Sequence, residues 1–441
     1  MTRVRFAPSP TGQVHIGNMR VALFNWLFAR HTGGQFLLRI EDTDRERSTL
    51  EAVQQLRDAM DWFNLDIDDK PMFQSSRAEA HLAAARELLK KGLAFKEDKG
   101  GTGKGECVVF KMPAESITFH DQIKGELCKA AEDMKDFVIV RSDGTAVFHL
   151  ANVVDDIEMN ISHVIRGDDH VENTYRHIAL YRALGAELPT YAHLPMIVNQ
   201  HGKPYSKRDG DAFVGDFRAK GFHPDALFNY LILLGWSPGD DREKMTREES
   251  IKLFSLDRVK SGPAQLDIKK LTHLNASYID ALPLDEFVRS ADAIIRGTDW
   301  ARDIDQEYFR KVCALMQSRT HLYSYTQDWK YFFSDEYPYE EKGVRKELKK
   351  EGIKAVLQDV RKQLEHTDFS EETIEHIIRE TEAAAGIPKG KLNQSIRVAV
   401  TGRSAGAGLY ETMELLGKQR VLARLDTAVA TLGTVKNFMK E

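Results

Sequence analysis

Cysteine is scarce in this chain. Cys107, Cys128 and Cys313 are the three in 441 residues, and they have neither metal-ligand nor redox spacing. Reduced thiols are therefore expected and a structural zinc is not. No run of about 18 apolar residues occurs and no charged-then-apolar leader, so neither a membrane span nor a signal peptide is expected. The absence of any internal repeat or long low-complexity tract sets repeat architectures aside. An excess of positive charge is lacking too, since the formal net charge is −5. That speaks against a uniform grip on a phosphate backbone, whose affinity comes largely from Lys and Arg. With 42% hydrophobic and 29% charged residues, the composition is that of an ordinary globular, cytoplasmic protein long enough for two to four domains.

Charge is unevenly spread, however. From Gly386 onward there are nine Lys/Arg against four Asp/Glu, and Lys342 to Lys362 is rich in basic residues. An acidic body with a basic C-terminal part fits local contact with RNA as well as it fits solvated helix faces.

The first 90 residues alternate between strand and helix. Val4 to Ala7 reads as a strand. Val21, Phe24 and Phe28 keep helical spacing, and Phe36 to Ile40 is an apolar run suited to a buried parallel strand. Ser48 with Glu51, and Ser76 with Glu79, have the spacing of capping boxes, and Lys90-Lys91-Gly92 reads as a helix stop. This order predicts a doubly wound α/β sheet. Lys99 to Gly105 follows the Gly-x-x-x-x-Gly-Lys outline only loosely, with no Ser or Thr after a Lys, and reads as a surface turn in an insertion of β-like segments. The α/β pattern resumes at Val147. Asn173 is expected to cap a helix ending at Gly185, Pro224 to open one ending at Gly235, and Thr246 with Glu249 to form a further capping box. Beyond Met245 the pattern is mostly helical.

Two segments carry the chemistry. Pro8-Ser9-Pro10-Thr11-Gly12 leads from the first strand into His15-Ile16-Gly17-Asn18, where a helix starts. Proline and glycine favour a tight turn there, and the helix N-terminus is a ready site for phosphate. Gly17 would let an adenine base approach the backbone, and His15 could donate to phosphate oxygens. Much later comes Gly202-Lys203-Pro204-Tyr205-Ser206-Lys207-Arg208, a cluster of cations suited to charge that builds on phosphate oxygens.

Together these resemble the two signatures of class I aminoacyl-tRNA synthetases. Arg39-Ile40-Glu41-Asp42-Thr43-Asp44, His149-Leu150-Ala151-Asn152-Val153-Val154-Asp155-Asp156 and His163-Val164-Ile165-Arg166-Gly167-Asp168-Asp169 are similar to motifs of the glutamyl-tRNA synthetase family, in the same order. Ile396 to Gly402 and Gly408 to Glu411 resemble its helical anticodon-binding region. The resemblance implies an α/β fold with a split Rossmann-like catalytic domain (1–84 and 146–196). It further implies a shortened α+β insertion for the acceptor stem (85–145), a stem-contact region with the Ser-Lys-Arg loop (197–283) and an all-α anticodon-binding part (284–441).

It also implies ATP with Mg2+, L-glutamate and tRNA(Glu) as reactants, tRNA(Gln) remaining open, and a monomer whose glutamate activation depends on tRNA. His15, Gly17 and Lys207 are the implied catalytic residues, with Asn18, Ser206 and Arg208 joining them around ATP. Arg5, Ala7, Ser9, Glu41, Phe148, Asn152 and Arg166 would hold glutamate, Arg5 at its γ-carboxylate and Glu41 at its ammonium. Asp44 would meet the tRNA 3′ end, and no residue is assigned to a metal. Arg397, Arg403, Lys418, Arg420 and Arg424 are the candidates for RNA contact in the C-terminal part.

Three positions depart from the family pattern. Pro204-Tyr205 replaces the usual Lys and aliphatic residue of the second signature, with Lys203 one place early. Phe148 stands where Tyr is common, and Asn18 where the first signature often has His. A glutamyl-queuosine-type relative, or a tRNA-binding paralogue made inert by Pro204-Tyr205, are the alternatives.

Overall fold

The structure is a computed structural model that describes residues 1–43, 48–98 and 105–431. Asp44 and all but the last residue of the Lys99–Gly105 loop lie outside the described residues. The chain divides into two compact units, Met1–Ala219 with Pro224–Leu274, and Lys220–His223 with Asn275–Glu441.

The first unit opens with β1 (Arg3–Phe6), α1 (Ile16–Thr32), β2 (Gln35–Ile40), α2 (Leu50–Trp62), β3 (Met72–Phe73) and α3 (Ala78–Lys90). There follow β4 (Ala94–Asp98), β5 (Glu106–Phe110), β6 (Ile117–Asp121), β7 (Gly125–Lys129) and β8 (Phe137–Val140). The α/β alternation returns with α4 (Phe148–Glu158), β9 (His163–Gly167), α5 (Val171–Leu184) and β10 (Thr190–Leu194).

Strands β1, β2 and β3 pair in parallel, as do β9 and β10. The two sheets meet at Arg3, whose N–H donates to Ser162 Oγ (2.8 Å) and whose carbonyl accepts from Ser162 N–H (3.0 Å). The parallel strands therefore run in the order β3-β2-β1-β9-β10, that of a doubly wound nucleotide-binding sheet. Phe36, Leu38 and Ile40 on one face and Leu37 and Arg39 on the other are all buried, as a strand covered on both faces requires. Helix α1 packs on this sheet with Met19, Leu23, Phe24 and Leu27 buried, and Gly33 stops it in the left-handed conformation (φ 61°).

The segment between the α/β halves does two things. Strands β4, β5 and β8 form a separate antiparallel sheet, whereas the β6–β7 hairpin joins the edge of the main sheet, with Asp121 opposite Tyr191 of β10. That pairing carries Asp121 to the main sheet.

Three helix starts differ from expectation. Helix α2 is capped by Thr49, whose side chain accepts from Ala52 N–H (3.1 Å), one residue past Ser48. Ser is if anything the better cap, so the phase set by buried Ala52, Leu56 and Met60 decides for Thr49. Ser76 lies in a 3₁₀ turn (Gln74–Arg77) before α3, and its hydroxyl donates to Phe73 O (2.6 Å) instead of capping. Asn173 lies inside the first turn of α5, which follows another 3₁₀ turn, Asp168–His170. The Thr246–Glu249 capping box forms as expected.

After β10 come β11 (Ile197–Val198), α6 (Val214–Ala219), α7 (Pro224–Leu233), α8 (Arg247–Leu253) and β12 (Ala264–Gln265). The second unit is helical. Its core gathers Phe287, Phe309, Phe332, Leu357, Ile378, Ile396, Met413 and Leu425, each buried. Among the described residues no helix is long and apolar enough to cross a membrane.

Candidate active site

A cavity of about 680 Å³ opens where the C-terminal ends of β1 and β9 diverge. This is the topological switch point, at which ligands bind in open α/β sheets. Arg5, Ala7, Ser9, His15, Gly17, Asn18, Glu41, Phe148, Asn152 and Arg166 all line it. The sequence motifs spread over 160 positions thus converge on one site.

One end is built from charge. Arg5 donates through Nε and Nη2 to Asp156 (3.0 and 3.2 Å), and Arg39 donates to the same carboxylate. Arg39 also donates to Glu41 Oε1 (3.1 Å), which accepts from Asn152 Nδ2 as well (2.8 Å). All five side chains are buried. Burial pushes the Asp156 carboxyl up, but Arg39 and Arg5 outweigh it and hold the group below its usual range. Glu41 is pushed up by burial, which the attraction of Arg39 only partly offsets. Asn152 Oδ1 is buried without a hydrogen-bond partner among the described residues. Its amide orientation follows from Glu41, which can only accept.

Arg166 differs from Arg5 and Arg39. Its donors meet neutral groups: His193 Nε2 (3.2 Å), His177 Nδ1 (3.4 Å), Thr174 Oγ1 (2.7 Å) and the His170 carbonyl (3.3 Å). Burial and then repulsion from Arg5 lower its pKa to about 10, which still leaves it charged at neutral pH. Three guanidinia (Arg5, Arg39, Arg166) thus face two carboxylates (Glu41, Asp156) at this end, an excess of one positive charge. Phe148 closes the wall with its ring against those of His149, His170 and His177.

The other end is built from backbone. His15 caps α1, its Nδ1 accepting the Gly17 N–H (3.0 Å), so the ring proton sits on Nε2. Burial lowers the His15 pKa against a hydrogen bond to the backbone of Tyr205, which ties the first signature to the second. A Cβ on Gly17 would lie 3.1 Å from His15 Nδ1, so a side chain there would crowd the histidine that caps the helix. Arg20 also lines the cavity, fully buried, with Nη1 on the Pro195 carbonyl (2.6 Å) and Nε and Nη2 unpartnered among the described residues.

Pro204 and Tyr205 line the cavity, whereas Ser206, Lys207 and Arg208 stand on the exposed turn beyond them. Asn199 Oδ1 accepts from His201 and Lys203 N–H (2.9 and 3.1 Å), and Asp209 Oδ2 accepts from Ser206 N–H and Oγ–H (both 2.9 Å). The Lys207 ammonium rests 5.9 Å from the centre of the Phe213 ring.

Sequence reasoning left Arg39, Asp156, Arg20, Asp121, His177 and His193 without roles. Arg39 and Glu41 carried a signal: two apart across the end of β2, they point to one face. The others gave none, since their partners lie far away in the chain. In the second unit, Arg424 is buried on the carbonyls of Val400, Tyr331 and Ser334, and Arg420 and Arg403 are paired with Asp335 and Asp328. Among the described residues no group of three His, Cys, Asp or Glu could hold a metal ion.

Residues 1–101 and 96–273 match the family model described as class I tRNA synthetases (E and Q), catalytic domain, and residues 286–429 match that of an anticodon binding domain. A glutamate–tRNA ligase of Methylacidiphilum infernorum is 40% identical over 444 residues, covering 96% of this chain and 97% of the relative. Glutamate–tRNA ligase 2 of Thermoanaerobacter pseudethanolicus is 36% identical over 467 residues, covering 97% and 98%. Among solved structures, a glutamate tRNA ligase from Elizabethkingia meningosepticum in complex with its amino acid superposes with a TM-score of 0.85. It is 28% identical, with 98% of this chain and 99% of that one covered.

Proposed function

The chain belongs to the glutamate–tRNA ligase family of class I aminoacyl-tRNA synthetases, and from that premise we propose how its cavity works. The reaction is ATP-dependent joining of glutamate to tRNA. Glutamate's α-carboxylate attacks the α-phosphorus of ATP, an O–P bond forms and the bond to the β-phosphate oxygen breaks, releasing pyrophosphate. A hydroxyl of the tRNA's terminal ribose then attacks the adenylate carbonyl, loses its proton and releases AMP.

One observation carries the reading of the amino-acid end: the buried Arg166 guanidinium, with neutral partners, beside an Arg5 already matched by Asp156. Glutamate bears two carboxylates and one ammonium, so its net −1 neutralises the excess charge. Arg166, with the edge of Arg5 not taken by Asp156, receives the γ-carboxylate. Glu41 and the unpartnered Asn152 Oδ1 receive the ammonium. Glutamine, net zero, would leave a desolvated guanidinium without its counter-charge, which is the physical basis for rejecting it.

At the other end, Gly17, Asn18 and the N-terminal turn of α1 hold ATP, and the His15 Nε2 proton turns from Tyr205 to a phosphate oxygen. Release of Tyr205 lets Lys207, Ser206 and Arg208 swing onto the phosphates, so the protein supplies position and charge, not a nucleophile. Magnesium would travel on the ATP phosphates, which fits a site where the described residues offer no cage of carboxylates. Asp44 stays our candidate for the tRNA 3′ end, tRNA(Glu) is the substrate, and the enzyme works as a cytoplasmic monomer.

ATP–pyrophosphate exchange with glutamate, with and without total tRNA, tests this. Exchange that depends on tRNA is expected. Exchange without tRNA would favour a queuosine-type activity, and none in either condition would mean an inert paralogue.

A further inference from the structure

What holds Arg166 in place is a buried pair that reaches it from the inserted segment. Asp121, at the end of β6, and His193, in β10, are both fully buried. Asp121 Oδ1 accepts the backbone N–H groups of Ile123 (2.9 Å), Lys124 (2.8 Å) and His193 (3.2 Å). Its Oδ2 meets His193 Nδ1 at 2.6 Å. Burial pushes the Asp121 carboxyl up, but the bonds from His193 and the backbone outweigh it, so it is ionised and can only accept.

That fixes the imidazole. Nδ1 must carry the proton, and burial, outweighing the pull of Asp121 and joined by Arg166, lowers the His193 pKa against taking a second one. Nε2 is left with its lone pair, which is what the Arg166 Nε–H needs at 3.2 Å. Thr174 Oγ, 3.0 Å from the same Nε2, accepts from Arg166 Nη2, so the two contacts set the plane of the guanidinium. The arm through His177 has no such anchor, because it runs on to His149 Nδ1 (3.3 Å) and from there to Arg176 (3.2 Å).

We propose that the Asp121–His193 pair is a positioning device for substrate recognition: by holding His193 in its Nδ1–H tautomer it presents an acceptor to Arg166 and aims that guanidinium at the substrate carboxylate. The proposal rests on the reading of this cavity as the glutamate site. It gives the inserted hairpin a part in amino-acid selection.

Asp121→Asn is the informative change. The amide oxygen can keep the backbone contacts, while its NH2 faces His193 Nδ1 and forces the Nε2–H tautomer, which opposes the Arg166 Nε–H. Exchange kinetics with tRNA present should show KM for glutamate raised about 10- to 100-fold, the worth of a hydrogen bond to a buried charge, with KM for ATP within about twofold. In a His193→Gln background the same change should cost far less, since an amide has no tautomer to invert and the two sites are coupled. Imidazole ¹⁵N shifts of the unmutated enzyme should report His193 protonated at Nδ1, a readout that needs no variant to fold.

An unchanged KM for glutamate in Asp121→Asn, equal losses for glutamate and ATP, or an Nε2–H tautomer in the unmutated enzyme would each overturn the proposal. Absence of exchange in the unmutated enzyme would instead overturn the glutamate reading, and the ¹⁵N shifts would still decide the positioning claim.

Discussion

Arg5 and Arg166 are the same residue type in the same cavity, yet their surroundings give them different work. Arg5 is matched by Asp156, while Arg166 is held by imidazoles, a hydroxyl and a carbonyl. Replacing Arg166 with Gln should therefore weaken glutamate binding by about 1.5–3 kcal/mol, the range for a hydrogen bond to a charged group. KM for glutamate should rise about 10- to 150-fold in the exchange assay, with KM for ATP little changed; equal effects on both would contradict the assignment. The sequence placed both arginines at the site through their motifs. It could not rank them, because the counter-charge of Arg5 is 151 positions away at Asp156.

At the scale of elements, the second signature is a turn braced at both ends by Asn199 and Asp209, with Lys207 exposed on it. If this cation acts on charge that develops in the transition state, Lys207→Ala should lower kcat about 10²- to 10³-fold and leave KM for glutamate alone. A matching rise in KM would make it a binding residue instead. Helices α4 and α5 present a different case, since they press His149 and His177 together next to Arg166 and Arg176.

Burial first, then Arg176 and Arg166, pulls His149 from 6.5 to about 4, and His177 is held well below its usual value. The folded pKa lies below the unfolded one, so between these values the unfolded chain binds more protons and stability falls as pH drops from 6.5 toward 4. His149 contributes at most about 3 kcal/mol to that loss. Urea midpoints measured across this range should decline, and His149→Gln should flatten the decline. The end of α5 at Gly185 was legible in the sequence, but the facing histidines of α4 and α5 were not, because the α4–α5 contact is tertiary.

At the scale of the whole molecule, the all-helical unit has a core of its own, so Asn275–Glu441 made alone should unfold cooperatively in urea with a strong helical circular dichroism signal. A gradual, non-cooperative melt would show that the core depends on the first unit. The sequence by itself determined the end of the cavity built on the start of α1. Its turn, cap and helix start lie within about a dozen consecutive residues, where local backbone preferences suffice, and ordered motifs then identified the family. Only the tertiary structure decided which arginine lacks a counter-charge, and that a hairpin of the insertion reaches Arg166 through Asp121 and His193. Those properties are sums of Coulomb and hydrogen-bond terms between groups up to about 150 positions apart, and no pattern along a single chain encodes such distances.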